Sequence, residues 1–208
     1  LRVVDELEER YAEFPGLNLT FEVREGILKH CSAANARKLG ELGERFLQRL
    51  QPGLEAQLAN LADEVAYNNH DVDDGIRAGL ITIEDLCGCH MFGRQFEFVR
   101  GQYPQLGGRR LVHEVVRRMI DYTVNDLVDA SKASLASAAP RNVDEVRSRA
   151  APLLMFSDGV REEHLELKRY LREHLYKHFR VLRMTTKAQR VVRELFDAMF
   201  GEVNLMPT

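Results

Sequence analysis

Residues 54–74 place two carboxylates and an aromatic ring at helical spacing. Asp63, Tyr67 and Asp71 follow one another at intervals of four residues, and an α-helix presents such residues on one side. They lie across the helix from an apolar stripe, which consists of Leu54, Leu58, Leu61, Val65 and Val72. At the rise of an α-helix, Asp63 and Asp71 are about 12 Å apart along the axis. That distance is comparable to the span of a nucleotide from its α-phosphate to its sugar.

The polar side of this helix has two interpretations. A solvated surface is the ordinary one. Against it, Tyr67 is a poor choice for open solvent, and residues 68–70 (Asn-Asn-His) are weak helix formers in the middle of a helix. A helix with these features often lines a cleft, so both interpretations stay open at this point.

Charge is distributed unevenly along the chain. Residues 63–85 carry seven acidic side chains against Arg77 alone, and residues 168–193 carry nine Lys or Arg against Glu173 alone. Acidic clusters suit divalent cations, and basic clusters suit phosphate. Together they suit a metal-dependent reaction on a phosphorylated small molecule. Two solvated faces that pair with each other or with neighbouring subunits explain the same pattern.

The elements that position these residues are predicted to be helices. Apolar residues recur at helical spacing, and no alternating stretch of useful length predicts a strand. We therefore expect an all-α fold, an irregular bundle of about nine helices. Thr20, Thr82 and Asn142 are candidate helix caps. Longer helices are expected over about 35–50, 54–74, 111–128, 157–180 and 185–200.

The composition is that of an ordinary folded protein. The chain has 208 residues, of which 45% are apolar and 29% are charged, so disordered and fibrous classes are excluded. No apolar run approaches the ~18 residues that predict a membrane span. A net charge of −3 gives no general attraction to nucleic acid. Three cysteines do not indicate a disulfide framework, which favours a reducing cytoplasm.

Three blocks of the sequence closely resemble the deoxyguanosine-triphosphate triphosphohydrolase-like family of HD-domain enzymes. The blocks are LEAQLANLADEVAYNNHDVDDG (54–75), segments within 16–30, and segments within 176–196, and they occur in family order. The resemblance implies that residues 1–130 complete an HD-domain core and that residues 141–208 form a C-terminal helical region. It also implies hydrolysis of a deoxynucleoside triphosphate to deoxynucleoside and inorganic triphosphate.

The same resemblance implies roles for individual residues. Asp63 matches the last ligand of a metal ion held by two His and two Asp. Tyr67 matches a Tyr that packs on the sugar and leaves little room for a 2′-hydroxyl, and Asp71 matches an Asp that accepts a hydrogen bond from the 3′-hydroxyl. Lys29 stands where some members place a phosphate-contacting Lys. Further phosphate contacts are expected from some of Arg183, Lys187 and Arg190.

The implied cofactor is a divalent ion, Mg²⁺ or Mn²⁺. The implied partners are a dNTP substrate, a regulatory nucleotide and further copies of the chain in a homo-oligomer. The sequence begins at Leu1 without Met and lacks the family's first His and its His-Asp pair. We expect these ligands upstream, so the chain alone is expected to be inactive. Two alternatives stay open: a related phosphohydrolase that acts on another nucleotide, and a non-catalytic helical module that serves assembly.

Other groupings of ligand residues are incomplete as metal sites. Cys87 and Cys89 form half of a zinc site, and the sequence holds no second pair. The dipeptide His70–Asp71 shares its helix with Asp63, whereas the family places its His-Asp pair elsewhere. His174 and His178 are four residues apart, but no carboxylate stands at the expected place.

Overall fold

The computed structural model describes residues 1–28 and 30–206, and these residues fold into helices. The α-helices are α1 (Phe21–Ile27), α2 (Ala33–Ala36), α3 (Glu41–Gln48), α4 (Leu54–Arg77), α5 (Ile83–Leu86), α6 (His90–Gln102), α7 (Gly108–Ala138), α8 (Val143–Arg147), α9 (Asp158–Leu171) and α10 (Phe179–Gly201). The chain also forms two π-helical turns of five residues each, Val3–Leu7 and Arg172–Tyr176. The described residues contain no β-strand, so the prediction of an all-α fold is confirmed.

The chain divides into two compact units. The first consists of Leu1–Tyr67 and Ile120–Arg161, and the second consists of Asn68–Met119 and Glu162–Thr208. Three long helices, α4, α7 and α9, each contribute residues to both units. The sequence-based division into an HD-domain core over 1–130 and a C-terminal helical region over 141–208 stays a prediction.

A buried carboxylate joins three helices of the first unit. Glu25 of α1 is 2% exposed. Its Oε2 lies 3.1 Å from Nη2 of Arg147 in α8, and its Oε1 lies 3.6 Å from Nε of Arg45 in α3. The backbone N–H of Gly53 donates to Oε2 at 3.4 Å. Two guanidinium groups thus compensate a charge that would be costly to bury alone.

The core of the second unit supports the C-terminal half of α4. Its fully buried apolar side chains include Val72, Leu86, Met91, Phe92, Val99, Leu167 and Leu171. Glu166 of α9 accepts the backbone N–H of His90 at 2.8 Å and so caps α6, whose own N-cap residue makes no side-chain bond. This cap comes from 76 residues away, and the sequence pattern did not lead us to expect a helix there.

Glycines decide two helix boundaries differently from the sequence-based expectation. The helix expected over 35–50 is two helices, α2 and α3, because Gly40 between them has a φ of 56°. The helix expected to end near Asp74 continues through Gly75 to Arg77. A Cβ at Gly75 would lie 2.6 Å from Cδ1 of Ile81, so this glycine permits close packing rather than ending the helix.

The helix expected over 157–180 is also divided. Its α-helical part ends at Leu171, the π-helical turn Arg172–Tyr176 follows, and α10 begins at Phe179 rather than near residue 185. The side chain of His178 accepts the backbone N–H of Arg180 at 3.3 Å and caps α10. A π-helical turn contains one more residue per turn than an α-helix, so Tyr176 lies on a different side of the helix from the one that an uninterrupted α-helix would give it.

The last long helix carries an exposed apolar face. Val192, Phe196 and Phe200 of α10 are 67%, 63% and 77% exposed, and no residue of this helix is buried. Within the described ranges, no helix combines the length and the apolar character needed to cross a membrane.

Candidate functional site

The polar side of α4 presents the three residues that the sequence singled out. Asp63 and Tyr67 are exposed, Tyr67 by 63%, and Asp71 is half-buried. Because all three belong to one uninterrupted α-helix, they follow one another at about 6 Å per step along its axis. The predicted helix is therefore present, and its polar side carries both carboxylates and the ring.

The opposite side of α4 differs from the expectation in two respects: Leu58 of the predicted apolar stripe is 49% exposed, and two amides are buried. Asn68 and Asn69 are 5% and 1% exposed, so they lie in the core and not on the polar side with His70. Nδ2 of Asn68 is 2.6 Å from Nε2 of His164, which is itself buried. Asn68 also lines the cavity along α9 that is described below, so this weak helix former does lie at a cleft, although not on the polar side of α4.

A second tyrosine adjoins Asp71. The phenol Oη of Tyr176, the last residue of the π-helical turn, donates a hydrogen bond to Oδ2 of Asp71. Sequence reasoning did not assign Tyr176 any role, because its partner is 105 residues away. Its only signal was its place in the third block that resembles the family.

A cavity of about 890 Å³ lies along α9 in the second unit. Its lining combines apolar and aromatic side chains with cations, and it includes Leu165, Leu171, Tyr176, Lys168, Arg169 and Arg172. The size falls within the range of small-molecule sites. The N-terminal part of the basic block, which we define as residues 168–193, thus lines a cavity that Tyr176, the residue bound to Asp71, also lines.

The rear part of the basic block lies on α10. Arg183, Lys187 and Arg190 line a separate groove of about 750 Å³ together with Arg180. Arg190 also pairs with Glu194 at 3.6 Å. The three residues expected to contact phosphate therefore share one exposed groove. Lys29, the fourth, lies outside the described residues.

The described residues do not form a metal site by themselves. In residues 1–28 and 30–206, no three His, Cys, Asp or Glu side chains are grouped so that they could hold an ion. Asp63 offers a hard carboxylate oxygen of the kind that Mg²⁺ prefers, but one carboxylate falls short of an octahedral set. The donor type at Asp63 fits a divalent ion, whereas the number of ligands does not.

The alternative ligand pairs are engaged in other ways. The imidazole of His174 stacks on the ring of Tyr170, with centroids 4.3 Å apart, whereas His178 caps α10. Burial raises the pKa of the Cys89 thiol to about 11, and burial together with Glu84 also raises the pKa of Cys87. Metal ligation needs the thiolate, so both shifts disfavour the cysteine pair.

The geometry defines an all-α chain with a carboxylate- and tyrosine-bearing helix and two basic grooves, and comparison with known proteins specifies the class. The model of a family described as "Phosphohydrolase-associated domain" matches residues 154–208. This segment contains α9, the π-helical turn and α10, and therefore Tyr176 and the cations that line the cavity along α9 and the groove on α10.

Curated relatives extend the similarity to the whole chain. A "Deoxyguanosinetriphosphate triphosphohydrolase-like protein" of Bordetella pertussis is 62% identical over 207 residues, which cover 100% of this chain and 54% of the relative. Proteins of the same description from Thiobacillus denitrificans and Nitrosomonas europaea are 56% and 51% identical, and the matches cover 100% of this chain and 55% of each. The chain belongs to the deoxyguanosinetriphosphate triphosphohydrolase-like family. It spans about half the length of these relatives.

Proposed function

We propose that the protein encoded by the whole open reading frame that contains this chain, called the whole-frame product below, hydrolyses deoxynucleoside triphosphates, including dGTP. The products are deoxynucleoside and inorganic triphosphate, and the reaction takes place in the cytoplasm. The main support is the polar side of α4, where Asp63, Tyr67 and Asp71 are spaced along the length of a nucleotide. The substrate class also follows the name of the relatives, which are deoxyguanosinetriphosphate triphosphohydrolase-like proteins.

Each of the three residues has a separate task in this proposal. Asp63 supplies one carboxylate to a divalent ion, Mg²⁺ or Mn²⁺, whose other ligands the described residues do not provide. Such an ion lowers the pKa of bound water and offsets charge that develops on phosphorus. The exposed ring of Tyr67 packs on the sugar and excludes a 2′-hydroxyl. Asp71 accepts a hydrogen bond from the 3′-hydroxyl.

Phosphate binding is assigned to cations elsewhere in the chain. Lys29 and some of Arg183, Lys187 and Arg190 contact phosphates of the substrate or of a regulatory nucleotide. The groove on α10 supports this role, since it collects three of the four. We also propose a homo-oligomer, for which the exposed apolar face of α10 is the support. That face equally suits the alternative of a non-catalytic assembly module.

The deciding experiment compares two proteins with a panel of nucleotides and divalent ions. Chromatographic detection of inorganic triphosphate is expected for the whole-frame product with dGTP or another dNTP. No release is expected from the 208-residue chain alone, because Asp63 by itself does not retain a catalytic ion. Robust release by the 208-residue chain would contradict the proposed division of the metal site. No release by either protein with any nucleotide would favour the assembly module.

Removing the ring of Tyr67 is expected to reduce the preference for deoxynucleotides. In the whole-frame product, Tyr67→Ala opens space for a 2′-hydroxyl, so the ratio of kcat/KM for dNTP over NTP falls by roughly tenfold or more. Tyr67→Phe keeps the ring and serves as the matched control with an unchanged ratio. An unaltered ratio in Tyr67→Ala would favour the related phosphohydrolase with another substrate.

A further inference from the structure

The hydrogen bond between Tyr176 and Asp71 engages one of the two carboxylate oxygens of Asp71. Oη of Tyr176 donates to Oδ2 of Asp71, whereas no described residue donates a hydrogen bond to Oδ1 of Asp71. A hydrogen bond from a phenol to an ionised carboxylate is short and strong relative to a neutral one. Asp71 therefore has one oxygen anchored by protein and one oxygen available to another donor.

The packing below this contact explains why the two side chains meet. Gly75 lies one turn after Asp71 on α4, and a Cβ at Gly75 would lie 3.3 Å from Cδ1 of Leu175. Leu175 is buried, and Tyr176 is the next residue. The absence of a side chain at Gly75 thus brings the π-helical turn close to α4, and that approach places the phenol at Asp71. Single π-helical turns are frequent at functional sites.

We propose that Tyr176 is a positioning residue, which orients the carboxylate of Asp71 so that its free oxygen accepts the 3′-hydroxyl of the sugar. This inference rests on the proposed function, because it requires that Asp71 binds the sugar. Tyr176 itself does not touch the reacting phosphorus. Without its hydroxyl, Asp71 keeps its charge but loses the bond that selects one orientation, so the cost falls on recognition of the 3′-hydroxyl.

The ring of Tyr176 also lines the cavity along α9, so the test must keep the ring. Tyr176→Phe removes only the hydroxyl. Tyr103→Phe is a matched control, because Tyr103 lies in the same unit and is 51% exposed. Asp71→Asn is the reference for loss of the sugar contact. Thermal unfolding of each variant establishes that the fold is retained.

The experiment measures kcat and KM of the whole-frame product with a dNTP and with the matching 2′,3′-dideoxynucleotide, which lacks the 3′-hydroxyl. With Tyr176→Phe, kcat/KM for the dNTP is expected to fall about tenfold, the loss of one hydrogen bond to a charged group. The value for the dideoxynucleotide stays within about twofold. The double variant with Asp71→Asn is expected to be no worse than Asp71→Asn alone, because the tyrosine acts only through the aspartate.

The outcomes separate the two proposals. Equal losses for both nucleotides in Tyr176→Phe would overturn the inference and indicate a structural role. A loss of 3′-hydroxyl discrimination in Asp71→Asn but not in Tyr176→Phe would overturn the inference and leave the proposed function intact. Wild-type protein that hydrolyses both nucleotides equally well would instead refute the sugar-binding role of Asp71, and the inference would fall with it.

Discussion

Replacing Asp63 by alanine in the whole-frame product is expected to abolish triphosphate release. Partners that only orient a metal ligand already contribute 10–100-fold to affinity or activity, so removal of a ligand should cost more than about a hundredfold. Asp63 is exposed on the polar side of α4, so its removal leaves no cavity in the core. Helical circular dichroism should therefore be unchanged.

The matched control for this variant is Glu55→Ala. Glu55 is also an exposed acidic residue of α4 but lies in its first turn, so a general effect of lost charge would appear in both variants. Triphosphate release is followed at several concentrations of Mg²⁺ and Mn²⁺. Recovery of Asp63→Ala at high metal concentration would still support a ligand role. Activity equal to wild type at low metal concentration would refute the assignment.

Replacing Glu25 by alanine is expected to destabilise the 208-residue chain by as much as the truncation of a large core side chain. Glu25 is 2% exposed, and the side chains of Arg45 and Arg147 beside it are 11% and 18% exposed. Removing the carboxylate leaves two poorly solvated guanidinium groups without their shared acidic partner. Breaking such a buried ion pair typically costs about 3–5 kcal/mol. The free energy of unfolding is measured by urea denaturation followed by circular dichroism.

Glu22→Ala provides the comparison for Glu25→Ala. Glu22 belongs to the same helix but is exposed in its first turn, where an acidic residue contributes about 0.3–1 kcal/mol through the helix dipole. A similar small loss in both variants would mean that the Glu25 cluster contributes no more than a surface charge. That result would contradict the role assigned to Glu25 in joining α1, α3 and α8.

Local sequence patterns were sufficient to predict several helix boundaries and one helix face. Thr20, Thr82 and Asn142 cap α1, α5 and α8, because the side-chain oxygen of each accepts a hydrogen bond from the backbone N–H three residues later. A capping bond depends only on neighbouring residues, so it can be read from the chain directly. The polar side of α4 follows in the same way from a period of 3.6 residues.

Other features required knowledge of distant partners. The burial of Asn68 and Asn69 became evident only with His164, which is 96 residues from Asn68. The cap of α6 depends on Glu166. The end of α9 depends on a π-helical turn, which the spacing of apolar residues does not predict. In each case a residue that looks unfavourable or unremarkable locally is stabilised by a group that packing brings to it.

The sequence by itself determined the all-α class, the spacing of Asp63, Tyr67 and Asp71 along one helix, and the resemblance to the family. These properties are set by neighbouring residues or by direct comparison of residues. Only the tertiary structure decided that Tyr176 donates to Asp71, that the basic block is divided between a cavity along α9 and a groove on α10, and that Glu25 joins three helices. Such contacts join residues remote in sequence, and their geometry depends on close approaches such as that of Gly75 to Ile81 and Leu175.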